Sequence, residues 1–254
     1  MVEPGRDRAG EGEHLTVGAS RAQAQQLDRA AEQAGVPAPM LMAVAGFQTA
    51  RLVHRLLGEA PRSDPMVAVL AGKGNNGGDG LVAARHLAAW GHAVRCLQVR
   101  APGVPDPVAA GLARAAEAAG AEVRPVVTGT AAVREAADWC LAQATLVVDG
   151  VLGTGAVGAP RGDLADLIVR VNRCSAVVLS IDLPSGLDCD SGLAPGDCVR
   201  ADHTLMLGAA KRGCQEDRAR HWVGRLWLAD IGIPKSCYLE AGLEPPSHLG
   251  PDPA

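Results

Sequence analysis

The run Met66-Val67-Ala68-Val69-Leu70-Ala71 is uninterrupted apolar sequence, and it feeds directly into Gly72-Lys73-Gly74-Asn75-Asn76-Gly77-Gly78-Asp79-Gly80. An apolar run of this length suits a strand covered on both faces, and a glycine cluster behind it suits a turn into a helix, here the stretch Leu81 to Trp90. The glycines are expected to adopt positive φ and bring backbone amides close to an anion, with the helix dipole adding to the attraction. Gly72, Gly74 and Gly77 also fit G-x-G-x-x-G, a pattern that is weak alone because a tight strand-to-helix turn can carry it too. A plain turn has no use for the side chains of Asn75, Asn76 and Asp79, so the segment is expected to hold a nucleotide-like ligand.

The same alternation runs along the chain. Ser20 is placed to cap a helix running through Leu27 to Gln33, stopped by Gly35 and Pro37, and Leu41, Val44, Ala45, Leu52 and Leu56 line one face of a second helix ending near Gly58. Beyond the glycine loop come a strand at Ala93 to Val99, a helix with Asp106 as cap and Pro107 in its first turn, and a strand at Val123 to Val127. Thr130 is expected to cap the next helix, with Val133, Ala136, Ala137, Cys140 and Leu141 facing inward. Then follow a buried strand Leu146-Val147-Val148 ending in Asp149, a helix Asp163 to Asn172, a strand Ala176 to Ile181 ending in Asp182, and two further strands, His203 to Leu207 and Arg225 to Leu228. Repeated strand–helix–strand units predict a Rossmann-like three-layer α/β/α sandwich with a mostly parallel central sheet. No repeat or linker divides the chain. Residues 19–243 are read as one domain, with a flexible segment at 1–18 and a disordered tail at 244–254.

Composition narrows the partners. A net charge of -4 offers no basic field to a phosphate backbone, and one Phe, one Tyr and four Trp leave little for base stacking, so nucleic acid is not expected. Seven cysteines (Cys96, Cys140, Cys174, Cys189, Cys198, Cys214, Cys237) are scattered, odd in number and free of C-x-x-C spacing, which argues against a disulfide framework or a zinc site. No stretch reaches the ~18 apolar residues of a membrane span, and Met1 to Gly18 has no signal-like apolar core, so a cytoplasmic location is expected.

In a strand order 3-2-1-4-5, strands one, four and five lie side by side and a ligand binds beyond their carboxyl ends. Three polar clusters fall there: Asn75, Asn76 and Asp79; Asp149 with Gly153-Thr154-Gly155; and Asp182 with Pro184-Ser185-Gly186. None contains His or Cys, so nucleophilic triad chemistry lacks its members, leaving acid/base work or oxygen coordination of a hard cation. A dinucleotide dehydrogenase would want a carboxylate about 20 positions beyond the glycine loop to hold a ribose. The second strand ends instead in Gln98-Val99-Arg100, which weighs against hydride transfer. Arg100 stands where a 2'-phosphate could be met, or is simply solvated.

These residues resemble a known family. The glycine segment Gly72 to Gly80, the segment Val148-Asp149-Gly150-Val151-Leu152-Gly153-Thr154-Gly155 and the segment Ser180-Ile181-Asp182-Leu183-Pro184-Ser185-Gly186-Leu187-Asp188 look like the three signatures of the YjeF N-terminal domain family, the NAD(P)H-hydrate epimerases. The flanking segments Leu27-Asp28-Arg29-Ala30 through Gly46 and Ala201-Asp202-His203-Thr204 through Lys211 agree, so the likeness covers about residues 20 to 233.

The resemblance implies an isomerase that interconverts R and S hydrates of NADH and NADPH, so that a separate ADP- or ATP-dependent dehydratase restores the cofactors. It implies substrate contacts from Asn75, Asn76, Gly77, Gly78 and Asp79, from the loop Gly153, Thr154, Gly155, Ala156, Val157, Gly158 and Ala159, and from Asp182. It implies K+ held by Asn76, Asp149 and Ser185 with main-chain oxygens. It also implies a homodimer, for which the two N-terminal helices are candidate interface elements. Asp182 is the candidate acid/base for loss of the hydroxyl as water, leaving an iminium-like cation that water re-adds from the other face. The chain departs from the pattern at Ala156-Val157-Gly158-Ala159-Pro160, where many members carry a basic residue and the nearest here is Arg161, and at Leu41-Met42-Ala43-Val44-Ala45-Gly46, where relatives often have polar residues. Recruitment of the fold to another isomerisation or to ligand or partner binding is the alternative reading.

Overall fold

The structure is a computed structural model that describes residues 18–59 and 64–246. Of the expected segments 1–18 and 244–254, residues 1–17 and 247–254 lie outside the described residues, and Pro246, expected in the tail, is buried. Gly18, expected in the flexible segment, is buried, and the next residue, Ala19, bridges to Lys211.

Seven strands, β1 (Met66–Ala71), β2 (Ala93–Arg100), β3 (Glu122–Val127), β4 (Leu146–Gly150), β5 (Val177–Ile181), β6 (His203–Leu207) and β7 (Arg225–Ala229), form one sheet in the order β3-β2-β1-β4-β5-β6-β7. Every pairing is parallel. The central strands are apolar on both faces because both are covered. Pro125 sits in edge strand β3, where its missing N–H costs no ladder bond on the open side.

One face packs α2 (Ala38–Gly58), α3 (Asn75–Ala89) and α4 (Pro107–Ala118) through Leu52, Val53, Leu81, Leu87 and Ala116. The other packs α5 (Ala132–Leu141) and α6 (Asp163–Val171) through Val133, Cys140, Leu167 and Ile168. The three-layer architecture is as the sequence predicts. Outside the layers, α1 (Arg21–Gln33) and the C-terminal α8 (Lys235–Glu240) share a small core with Leu27, Leu41, Ile231, Ile233 and Tyr238. Ser20 caps α1 in a full capping box with Gln23, and Asp106 caps α4 through the Ala109 N–H. A short α7 (Arg220–Val223) precedes β7.

Two local expectations fail. Thr130 does not cap α5: its hydroxyl donates to the Val127 carbonyl at 2.8 Å, and the helix starts two residues later with no side-chain cap. Val44 does not face the core: it is 37% exposed, in register with exposed Met40 and Phe47. The inward face of α2 runs instead through Leu41, Ala45, Thr49 and Leu52, because Gly46 lets α2 cross α3 so closely that a Cβ there would stand 2.4 Å from Val82 Cβ. Among the described residues, no single helix is long and apolar enough to cross a membrane.

Candidate active site

The turn between β1 and α3 is shorter than the glycine pattern suggests. Helix α3 begins at Asn75, so only Gly72-Lys73-Gly74 form the connection and the next residues are its first turns. None of the five motif glycines has positive φ. Their role is room: a Cβ on Gly72 would lie 1.9 Å from the Val151 carbonyl oxygen, one on Gly77 1.9 Å from the Gly72 carbonyl oxygen, and one on Gly78 2.5 Å from the Met42 sulfur. The helix is thereby pressed against β1, β4 and α2. Its N-cap, Gly74, supplies no side-chain acceptor, so the first-turn N–H groups stay open to a ligand.

The end of β4 is a polar knot. Asp149 is fully buried and accepts from Ser180 Oγ (2.8 Å), Ser185 N (2.9 Å), Ser185 Oγ (2.6 Å) and Val151 N (3.3 Å). Burial raises its carboxyl above the ordinary range and the Ser185 bonds pull it back. Ser185 Oγ also accepts from Leu152 N at 2.8 Å, and Asn76 Nδ2 donates to Leu152 O at 2.9 Å. Asn76, Asp149 and Ser185 are therefore brought together around Leu152. Gly153 lies over the Asn76 amide, where a Cβ would stand 3.2 Å from Asn76 Cβ and 3.7 Å from Oδ1. One carboxylate among neutral amide, hydroxyl and carbonyl oxygens fits a monovalent hard cation better than a divalent one.

Asp182 leaves β5 at φ 68°, a left-handed conformation that Asp tolerates better than most residues. Its Oδ1 accepts from Leu207 N at 3.2 Å and from Lys211 Nζ at 2.5 Å. Lys211 also donates to Leu207 O (2.8 Å) and Ala209 O (3.0 Å). Burial alone would lower the lysine, but the Asp182 carboxylate outweighs it and holds the ammonium above the usual range. Burial pushes the Asp79 carboxyl well up, with Asp182 and Asp28 pushing further and Lys211 opposing. Asp28, on α1, is raised by burial, countered by Lys211 and reinforced by Asp182.

These groups open on a cavity of about 620 Å³ whose walls are α1, α2, the start of α3 and the segment after β4. Of the expected contacts, Asn75, Asn76, Asp79, Gly153, Thr154, Gly155, Ala156 and Asp182 line it. Gly77 and Gly78 are packed inside the helix crossing. Val157, Gly158 and Ala159 turn away: Val157 is 78% exposed, Gly158 has φ 79°, and Ala159 abuts Gly196. Arg161 is exposed and outside the cavity, and Arg100 donates to Gln98 Oε1 at 2.8 and 3.1 Å on its own strand. Sequence reasoning assigned no role to Lys211, Lys73 or Asp28, all of which line the cavity. Only Lys211 left a signal, a lone charge closing the apolar stretch Leu207-Gly208-Ala209-Ala210.

A model of the family described as YjeF-related protein N-terminus matches residues 38–213. The NAD(P)H-hydrate epimerase of Dehalogenimonas lykanthroporepellens is 38% identical over 87% of this chain and 84% of its own length. The NAD(P)H-hydrate epimerase of Pirellula staleyi is 39% identical over 81% and 88%. The bifunctional NAD(P)H-hydrate repair enzyme Nnr of Thermosynechococcus vestitus is 38% identical over 87% of this chain and 41% of its own length. Among solved structures, the yeast protein YNL200c superposes with a TM-score of 0.78 over 94% of this chain and 98% of that one, at 21% identity, a likeness of fold.

Proposed function

The chain belongs to the YjeF-related N-terminal family, and from that premise we propose that it is an isomerase of nicotinamide nucleotide repair, interconverting the R and S hydrates of NADH and NADPH. The observation that carries this reading is the meeting of all three polar segments at one cavity, in a chain similar along most of its length to stand-alone epimerases.

The open N–H groups of α3 and Lys73 suit the substrate diphosphate. The hydrated ring lies toward Asp182. Loss of its hydroxyl as water leaves an iminium cation, and the carboxyl groups of Asp28, Asp79 and Asp182 at this end of the cavity supply the charge that stabilises it. Asp182, tied to Lys211, acts there as a fixed anion.

Asn76, Asp149 and Ser185 with main-chain oxygens would hold potassium. When bound, the ion supplies fixed positive charge that orients the wall from Leu152 to Ala156. A separate dehydratase consumes the S hydrate. The exposed Met40, Val44 and Phe47 on α2 support a homodimer, and seven free cysteines support a reducing, cytoplasmic compartment.

One observation favours the alternative of a recruited relative: the segment Val157 to Ala159 brings no cation to the cavity. The test is an R/S mixture of hydrated NADH depleted of S by a stereospecific dehydratase, followed in potassium buffer. Loss of R faster than its spontaneous rate is expected. A folded, potassium-loaded protein that leaves the rate unchanged would transfer the assignment to the recruited role.

A further inference from the structure

Three carboxyl groups share the cavity, and they are not equivalent. Asp182 holds the ammonium of Lys211 and the N–H of Leu207. With Oδ1 taken up by both donors, Asp182 is placed to serve as a fixed negative charge. Asp28, on α1, is the most open to water of the three, although burial still raises its carboxyl. Asp79 differs from both. It lies in the second turn of α3, only 7% exposed, and lines the cavity. Among the described residues, no side chain or backbone N–H donates to its carboxyl. The charged groups that face it are Asp28 from α1, Asp182 after β5 and Lys211 after β6, and the lysine is already engaged by Asp182. A buried carboxyl with two like neighbours and no donor of its own is stable as the neutral acid.

We propose that Asp79 is the proton donor of the epimerisation, entering each turnover as a carboxylic acid, while Asp182 stays the anion that stabilises the cation. The assignment rests on the epimerase reading and moves the acid role from Asp182 to Asp79. In the step, the Asp79 O–H gives its proton to the ring hydroxyl. The C–O bond breaks with its electron pair going to the departing water, and the ring becomes an iminium cation beside two carboxylates. Water then adds to the other face and releases one proton, which returns to the Asp79 carboxylate. Nothing is oxidised or reduced. The direction of the Asp79 shift agrees, since burial and two neighbouring carboxylates all favour the protonated form. Asp182, held by an ammonium, and Asp79, with no donor of its own, thus divide the work between a fixed charge and a proton donor.

The test compares wild type with Asp79→Asn in potassium buffer by two readouts. The first is the difference infrared spectrum near neutral pH, where wild type should show a protonated-carboxyl C=O band that the variant lacks. The second is R/S exchange of hydrated NADH, where kcat should fall about 100-fold or more with KM within a few-fold, the loss typical of a missing general acid. Absence of the band, or a kcat within about threefold of wild type, overturns the assignment while leaving the epimerase reading in place. A wild-type protein that shows the band yet does not exchange R and S overturns the epimerase reading and the catalytic role together.

Discussion

Lys211 Nζ lies 2.5 Å from Asp182 Oδ1, and the two side chains are only 5% and 12% exposed. A pair this buried stands because each charge is the other's solvent, with the carbonyls of Leu207 and Ala209 completing the lysine's bonds.

Removing one partner should therefore cost far more than removing both. Lys211→Met leaves Asp182 as an uncompensated buried anion and should lower unfolding free energy by about 3–5 kcal/mol. Lys211→Met with Asp182→Asn should recover much of that loss while staying inactive. Denaturant unfolding of the single and double variants decides it, and a double variant less stable than Lys211→Met would refute the pairing account. Asn is the right replacement at Asp182, because it too tolerates the positive φ there.

The raised Asp79 carboxyl makes stability depend on pH with a definite sign. Its folded pKa lies above the unfolded value, so the native state holds the proton more tightly. That contribution is complete below the unfolded pKa of about 4 and is lost as pH climbs through the folded one. Asp79→Asn does not titrate. Its stability advantage over wild type should be smallest near pH 4 and grow toward pH 8, measured as unfolding free energy across that range. Parallel curves would show that Asp79 ionises without penalty.

The glycines of the β1–α3 turn should be unequal. Gly77→Ala drives a methyl into the Gly72 carbonyl at 1.9 Å, a clash between two backbone segments that cannot both move. Loss of cooperative folding or of several kcal/mol is expected. Gly74→Ala meets nothing within 4 Å and has negative φ, so it should cost about 1 kcal/mol, the price of a poor N-cap. Thermal unfolding separates the two, and equal losses would contradict the steric account.

If Asn76, Asp149 and Ser185 hold potassium, the ion should stabilise the fold. At a concentration 100 times its dissociation constant the gain is about 2.7 kcal/mol. The unfolding midpoint should be higher in potassium chloride than in choline chloride of equal ionic strength, and Asn76→Ala should erase the difference. The same gain in that variant would place the ion elsewhere.

Much of this molecule was legible as a string. Apolar runs separated by helical periods imply parallel strands, and right-handed crossovers then fix β1, β4 and β5 as neighbours, which places Asn76, Asp149 and Asp182 at one edge of the sheet. The start of α3 was not legible. Asn75-Asn76-Gly77-Gly78 is a poor helix former by propensity, yet it forms the first turn of α3, packed closely against Gly72 and Met42. The same contacts replaced the expected positive φ with close approach.

Chain chemistry and short-range order alone determined the layer architecture, the strand order and the edge at which chemistry occurs, since burial and crossover handedness act on every segment alike. Which charges meet there was decided by tertiary structure. Lys211 reaches Asp182 from beyond β6, Asp28 arrives on a helix outside the sheet, and Asp79 loses water only when α2 closes over α3. Those pairings and their electrostatics depend on distances across the fold, and no spacing along the chain encodes them.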